Sequence, residues 1–323
     1  MDLTDIFKKS LKFPFENHSV WIMAAVIALV SSISSLISLK FDNGIVVIVF
    51  SLLMMLASII SSGYYLKVIK NQIDGSEITI DLENKNSNPM TGSKADQLIG
   101  NIKDDLISGI KYLVLDVVYM FIAFIIFAIV AFITGAFDAF AKIIPYMENV
   151  AAFADSTAFI NSIPEDILMN FAGSFMILFI VGIILLILYS LLLYIATAKL
   201  ADTGSLGDAL NIVDVCRTIK EIEIFRYLGF YVLLTLITVI ITFISGFIGE
   251  LIPVVGTIIS VVIIDTFSSI FIYTAIGTLY AEYRNKQQPQ SQQPQQPQQV
   301  QQAQYDNDII QQDDDTVYFN NQY

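Results

Sequence analysis

The chain has 323 residues, of which 55% are hydrophobic and only 15% charged, and its mean hydropathy is +0.66. A soluble domain of this length needs more charge to cover its surface, so the composition selects the bilayer as solvent. The formal charge of −13 sits in loops and tail and says little about partners, while one cysteine (Cys216) and one histidine (His18) exclude an internal disulfide, a cysteine metal site and histidine-based triads.

In chain order, residues 1–17 carry Lys8, Lys9, Lys12, Asp5 and Glu16 without a small-residue cleavage site, so they read as mature sequence and not as a signal peptide. Leu3, Ile6, Phe7 and Leu11 share one face of an amphipathic helix opposite the lysines, which predicts a helix lying on the membrane surface. A span needs about 20 apolar residues. Runs of that kind cover 20–39, 44–66, 112–134, 171–198, 227–249 and 251–281, and the chain therefore reads as a six-span, all-α polytopic bundle. At the start of the first span, Trp21 is an interface anchor and His18 a solvated boundary residue; Asn17-His18-Ser19 is a glycosylation sequon on the wrong side to be used.

Between the second and third spans, the polar stretch 75–97 reads as a flexible insertion. Ile99, Ile102, Leu106 and Ile110 then form a second surface face against Lys103, Asp104 and Asp105. Asp116 lies about one helical turn inside the third span. The loop 135–170 carries Phe137, Phe140, Ile144 and Met147 at helical spacing, with Pro145 expected to kink or break that helix; it reads as a packed loop or an interfacial lid. After the fourth span, Leu206, Leu210, Val213 and Cys216 form a third surface face, with Cys216 as inert packing. Thr235, Thr238, Thr242, Ser245 and Gly249 make one stripe along the fifth span, suited either to helix packing or to lining a pore that Asp265 would face. Pairs such as Ser31/Ser35, Ser34/Ser38 and Ser58/Ser62 read as packing contacts. Glu250-Leu251-Ile252-Pro253 predicts a tight turn into the last span.

Asp265, near the middle of that last span and followed by Thr266, Ser268 and Ser269, is the main candidate for chemistry. An ionised acid at that depth costs on the order of 3 kcal/mol, so it is either a proton or cation site in a wet cavity or a hydrogen-bonded group pinning two helices. Asp116 and Asp265 differ in depth by around 10 Å, too far for a shared-proton dyad, and the Tyr-Asp and Gly-x-Gly-Asp motifs of an intramembrane aspartyl protease are absent. The tail from 285 holds twelve Gln and three Pro within 287–304, then Asp313-Asp314-Asp315, and is expected to be disordered and cytoplasmic. The domain reading is thus a membrane domain over 1–284 and a tail over 285–323.

Fifteen of the seventeen basic residues fall on one side of these spans, leaving Lys40 and Lys142 on the other, which predicts both termini in the cytoplasm of a cell-membrane protein. Each surface face precedes two spans whose second member ends in Tyr and a basic residue, so the chain also reads as three parallel repeats of surface helix plus helical hairpin.

Several stretches together resemble an uncharacterised, largely archaeal membrane family, domain of unknown function 4013. They are Leu11-Lys12-Phe13-Pro14-Phe15-Glu16, Gly63-Tyr64-Tyr65-Leu66-Lys67-Val68-Ile69-Lys70, Asp105-Leu106-Ile107-Ser108-Gly109-Ile110-Lys111-Tyr112, and 200–229 with its Phe225-Arg226-Tyr227-Leu228-Gly229 end. The resemblance spans 5–284; the insertion at 77–95 departs from the Leu-Pro and acidic-aromatic stretch usual in members. It implies membrane location and no mechanism.

Nothing in the chain resembles a phosphate-binding glycine loop, and no basic aromatic patch suggests nucleic acid. No catalytic, metal or cofactor site is expected. The expected function is a non-enzymatic organiser of membrane partners or lipids, with the bilayer and a cytoplasmic protein docked by the tail as partners. The alternative is a secondary transporter or channel that uses Asp265, Thr235, Thr238, Thr242 and Ser245.

Overall fold

In a computed structural model, the structure describes residues 2–40, 43–76, 94–147, 160–251 and 255–287. Residues 288–323 of the expected tail, most of the polar insertion (77–93), the centre of the 135–170 loop (148–159) and the turn at Pro253 lie outside the described residues, while residues 285–287, expected to begin the tail, continue the last helix. Helices α1 (Leu3–Glu16), α2 (His18–Lys40), α3 (Gly44–Asp74), α4 (Lys94–Ile133), α5 (Ala136–Met147) and α6 (Glu165–Thr203) are followed by two short helices, α7 (Leu206–Leu210) and α8 (Ile212–Glu221). Then come α9 (Ile224–Leu251), α10 (Val255–Ile259), a π-helical segment (Ser260–Asp265) and α11 (Thr266–Gln287).

The protein is an all-α, multi-pass membrane protein. Five helices are long and apolar enough to cross a bilayer: Gly44–Asp74, Gly100–Ile133, Glu165–Thr203, Ile224–Leu251 and Val255–Gln287. A sixth is counted if α1 and α2, bent by 76° at Asn17, are taken as one broken span. Local chemistry sets several ends. Gly75 and Gly204, at φ of 65° and 67°, close α3 and α6 with left-handed caps whose amides donate to Asn71 and Leu200 carbonyls. Asn43 begins α3 by accepting the Ile45 amide at 3.0 Å.

Helix α3 is the centre of the bundle, packed by α2, α4, α6 and α11, while α9 rests on α10 and the π segment. The bundle is dense at one end. Buried residues of α6 run from Leu193 to Ala201, and those of α3 from Ala57 to Ile73. There they meet Phe271, Ala275, Ile276 and Leu279 of α11 and Tyr227, Phe230 and Leu234 of α9. The other halves of α4, α6 and α9 expose apolar side chains such as Phe132, Phe179 and Phe243, as lipid-facing surface requires.

The dense end is also the basic end, and ion pairs stitch it. Arg284 joins Asp74 at 2.8 Å and Asp202 at 3.0 Å, tying α11 to α3 and α6. Arg226 grips both oxygens of Glu282 at 3.0 and 2.6 Å, tying α9 to α11. Lys199 pairs with Asp214, holding α8 on α6. At the opposite end α5 packs on α6, continuing to Met147 with Pro145 inside it, so the proline does not end the helix. Phe137 and Phe140 there help enclose an apolar hollow of about 320 Å³ against α4 and α6. Asp138, one turn before Lys142 and 2.7 Å from it, raises the pKa of that exposed ammonium.

The three expected surface faces are altered by packing. In α1 the buried residues are Ile6, Phe7, Ser10, Phe13 and Pro14, while Leu11 is exposed, because Phe7 stacks on Phe230 at 5.4 Å and approaches Phe271. The second stretch is no separate surface helix: it is the opening of the 40-residue α4. Its buried side is Asp105, Gly109, Leu115 and Tyr119, and Ile102 and Ile110 point outward. Gly63 and Gly109 let α3 and α4 approach until backbone meets backbone, and Lys67 neutralises Asp105 at 2.7 Å, so an acid can occupy the inner face. The third stretch breaks at Asn211, whose side chain accepts the Asp214 amide at 3.2 Å and restarts the helix; Val213 turns outward and Ala209 and Val215 inward. The second of the three expected units thus lacks a surface helix, and the third has two short ones.

Candidate functional site

The polar residues of α9, the π segment and α3 converge on Asp265. Widening the helix over Ser260–Asp265 frees backbone carbonyls from the α-helical ladder, and π turns of this kind recur at functional sites. Small residues allow α9 to lie against this segment. A Cβ at Gly256 would sit 2.3 Å from the Ile248 carbonyl oxygen, and Gly249 faces Ser260. The Ser260 hydroxyl donates to the Ser245 carbonyl at 2.7 Å, and the Ser245 hydroxyl donates to Asp265 Oδ1 at 2.8 Å. The Thr266 hydroxyl donates to the Val261 carbonyl at 3.2 Å, and Ser269 to the Asp265 carbonyl at 2.9 Å, so the polar run after Asp265 satisfies backbone freed by the π turn.

Beyond Ser245, the Asp265 side chain is exposed and opens on a cavity of about 570 Å³ between α2, α3 and the π segment. Ser31, Ser51, Ser58 and Ser61 line its other walls, with Tyr65 toward the basic end. A carboxylate facing four serines in an otherwise apolar bundle is a place where a proton or a small cation can reside.

The structure divides the threonine stripe. Ser245 is buried on Asp265, whereas Thr235 and Thr242 are exposed. Thr238 and Thr242 border a separate groove with Gly246 and Glu250. A spacing of 3 and 4 drifts round the helix over four turns, so one end of the stripe faces the π segment and the other does not. Of the serine pairs, Ser31 and Ser58 reach the cavity; Ser62 bonds the Ser58 carbonyl of its own helix, and the side chains of Ser35 and Ser38 lie outside the described residues.

Asp116 and Asp265 do not meet. Asp116 accepts a short hydrogen bond from the Tyr189 hydroxyl of α6. The same end of the bundle holds a group of phenols that composition alone did not single out: Tyr112 and Tyr273 packed on the core, Tyr65 stacked on Tyr273 at 4.8 Å, and Tyr231 bonded to Ser190 at 3.0 Å. The sequence reading took the Tyr at the end of each second span as a mark of the repeat, and of this group that signal includes Tyr65 alone. His18 is exposed at the start of α2, Trp21 packs beside Val20 and Ala24, and Cys216 is half-buried. Among the described residues no group of three His, Cys, Asp or Glu could hold a metal ion.

A family described as a protein of unknown function (DUF4013) matches residues 46–254, more than half of the chain, and the protein belongs to it. The match runs from the start of α3 to just past α9; it contains Tyr65, Asp116 and Ser245, and Asp265 follows eleven residues after it ends. No curated protein and no solved structure matches the chain.

Proposed function

We propose that this member of an uncharacterised membrane family is a secondary transporter or channel, with Asp265 as its proton- or cation-binding group. The observation that carries the reading is the Asp265 carboxylate, held by Ser245 at a π-helical break and open to the serine-lined cavity. An acid kept only to pin two helices would be closed off by its partners; this one makes a single side-chain bond to α9 and turns its remaining acceptor sites to the cavity. Discontinuous helices with polar backbone at mid-span are how transporters build substrate sites. We further propose six spans, counting α1 with α2, and a cytoplasmic basic end, because Lys67, Lys111, Lys199, Arg217, Arg226 and Arg284 all gather there.

Presentation of surface helices to cytoplasmic partners, the organiser reading, has less support. The apolar faces of α1 and α7–α8 that it would offer are spent on the protein's own core, with Ile6, Ala209 and Val215 fully buried. The test is flux in proteoliposomes under imposed pH, sodium and potassium gradients. Wild-type flux that falls to the empty-liposome level in Asp265→Asn supports the reading, and equal flux in the two proteins sinks it. Labelling of Asp265→Cys by a membrane-impermeant maleimide in a Cys216→Ser background gives independent access data; absence of labelling from both sides counts against a wet cavity.

A further inference from the structure

The cavity beside Asp265 is larger than a proton or a bare ion needs. At about 570 Å³ it falls within the range of small-molecule sites, about 300–1,000 Å³, whereas one water occupies about 30 Å³. Its polar groups are also laid out along a line. Ser51, Ser58, Ser61 and Tyr65 of α3 all line it, at successive spacings of 7, 3 and 4 residues, which keep to one side of the helix. At 1.5 Å per residue, Ser51 and Ser61 stand about 15 Å apart, and Tyr65 lies about 6 Å further on. Asp265 faces this line from the π segment and Ser269 from α11.

Helix packing accounts for some of the hydroxyls here and leaves others over. Ser31 and Ser269 line the cavity but donate to carbonyls one turn back, those of Ile27 at 3.2 Å and Asp265 at 2.9 Å. Ser62, outside the cavity, does the same to the Ser58 carbonyl at 3.0 Å. That is an ordinary use of a serine hydroxyl inside a helix. Among the described residues, the Ser51, Ser58 and Ser61 hydroxyls make no such bond, and Ser51 and Ser58 are exposed. Each of the three can accept a hydrogen bond from a guest and donate one to it. Met54, Met55 and Leu113 make the wall around them apolar, and Asp265 is the one charged side chain among the described residues that line the cavity.

Resting on the reading of Asp265 as a cation-binding group, we propose that its ligand is an organic ammonium ion, a protonated amine that carries an apolar body. The ammonium sits on the Asp265 carboxylate, which already accepts from Ser245 through Oδ1 and keeps acceptor sites for the cavity. Its remaining N–H groups donate to serine oxygens of α3. The apolar body lies along α3 against Met54 and Met55, with the ring of Tyr65, held by its 4.8 Å stack on Tyr273, at the basic end. One carboxylate selects a single positive charge, because a second ammonium would lack a counter-charge in an apolar bundle. An inorganic cation fits less well. Calcium, for example, gathers about six to eight oxygens at about 2.3–2.6 Å around one point, and hydroxyls spread over about 15 Å cannot converge in that way.

The experiment is equilibrium binding of tritium-labelled phenethylammonium to the full chain in lipid nanodiscs at neutral pH. Competitors are butylammonium, sodium and phenethyl alcohol, the neutral counterpart of the labelled amine. Saturable binding displaced by the two amines, and not by the alcohol or sodium, is the expected result. Asp265→Asn should weaken it by on the order of tenfold or more, and Ser58→Ala and Ser61→Ala by about threefold each. Ser62→Ala, whose hydroxyl is spent on its own helix, should bind as the wild type does. Equal displacement by amine and alcohol overturns the ammonium assignment, as does binding unchanged in Asp265→Asn or no saturable binding at all. Binding unchanged in both cavity serine variants overturns the placement along α3. Where the assignment fails, proton, sodium or potassium flux that depends on Asp265 leaves the transport reading standing with an inorganic ion, and no such flux overturns both. If Asp265→Asn fails to fold, the wild type decides: a preference for the amine over its alcohol of less than about tenfold refutes the proposal.

Discussion

Replacing Gly109 with alanine should be among the most damaging single-methyl changes in this protein. A Cβ at Gly109 would lie 1.8 Å from the Ile59 carbonyl oxygen, and one at Gly63 would lie 1.8 Å from the Asp105 carbonyl oxygen. Real contacts of this kind do not come below 3.0 Å, so α3 and α4 would have to separate by about 1.2 Å. The obstructing atoms are backbone, so no rotamer change relieves the clash. Overpacking costs about 1–3 kcal/mol, and a backbone-to-backbone clash belongs at the upper end, about 3 kcal/mol. Separation would also strain the 2.7 Å Lys67–Asp105 pair. Because both glycines act at one crossing, the helices moved apart by the first substitution already make room for the second, and Gly63→Ala with Gly109→Ala should cost less than the sum. Reversible unfolding in mixed micelles, titrated with dodecyl sulfate and followed by circular dichroism, measures this. Gly173→Ala, where nothing lies within 4 Å, is the control and should be neutral or slightly stabilising through helix propensity. A cost under about 0.5 kcal/mol at both crossing positions, or full additivity, would refute the close-crossing argument.

Arg226→Ala should destabilise by about 2 kcal/mol in the same titration, between an exposed and a fully buried ion pair, and exchanging the charges as Arg226→Glu with Glu282→Arg should recover most of it. Arg284→Ala should cost less, about 1 kcal/mol, since the guanidinium is one-third exposed, and its effect should shrink in high salt. Asn211→Ala should speed amide hydrogen exchange in α8 while leaving α6 unchanged, a loss of about 1 kcal/mol for one cap. Ser58→Cys in a Cys216→Ser background should react with an impermeant maleimide, whereas Leu188→Cys, on the lipid-facing side of α6, should not; equal reactivity would mean that the cavity beside Asp265 is filled by lipid.

Long apolar runs made the span-forming helices legible, since hydropathy over twenty residues depends on composition and hardly on packing. Which side of a helix faces inward was less legible. The stretch around Asp105 read as an outward charged face, because an acid is normally solvated; a glycine crossing and Lys67, 38 residues earlier in the chain, reverse that, and no local pattern records a contact so distant. In the 206–216 stretch a single helical period was assumed across Asn211, although Asn211 followed by Asp214 is a restart signal. At the candidate site, Asp265 was visible as an acid in an apolar run, and Ser245 as part of a small-residue stripe. The π turn was not visible, because one extra residue in a helical ladder has no compositional mark. Nor was the stack of Tyr65 on Tyr273, which joins α3 to α11 and forms only in the fold.

In a bilayer, lipid tails compete on equal terms with apolar side chains, so helices associate through close packing and polar contacts, and each buried polar group has to be accounted for. Most here have a structural job. Gly63, Gly109 and Gly277 bring α3 against α4 and α11; the Arg226, Arg284, Lys67 and Lys199 pairs tie helix ends; Tyr64, Tyr119 and Tyr227 anchor on carbonyls. These would hold the bundle if Asp265 were leucine and the α9 hairpin lacked its π turn. Asp265 and the cavity serines remain over after that assignment, with the Ser245–Asp265 bond to α9 as the one packing contact of that carboxyl described above. On the proposed reading the Asp265 carboxyl is kept for what it binds, so the flux of Asp265→Asn is a test of function and the unfolding of Gly109→Ala a test of the fold, and the two should fail separately.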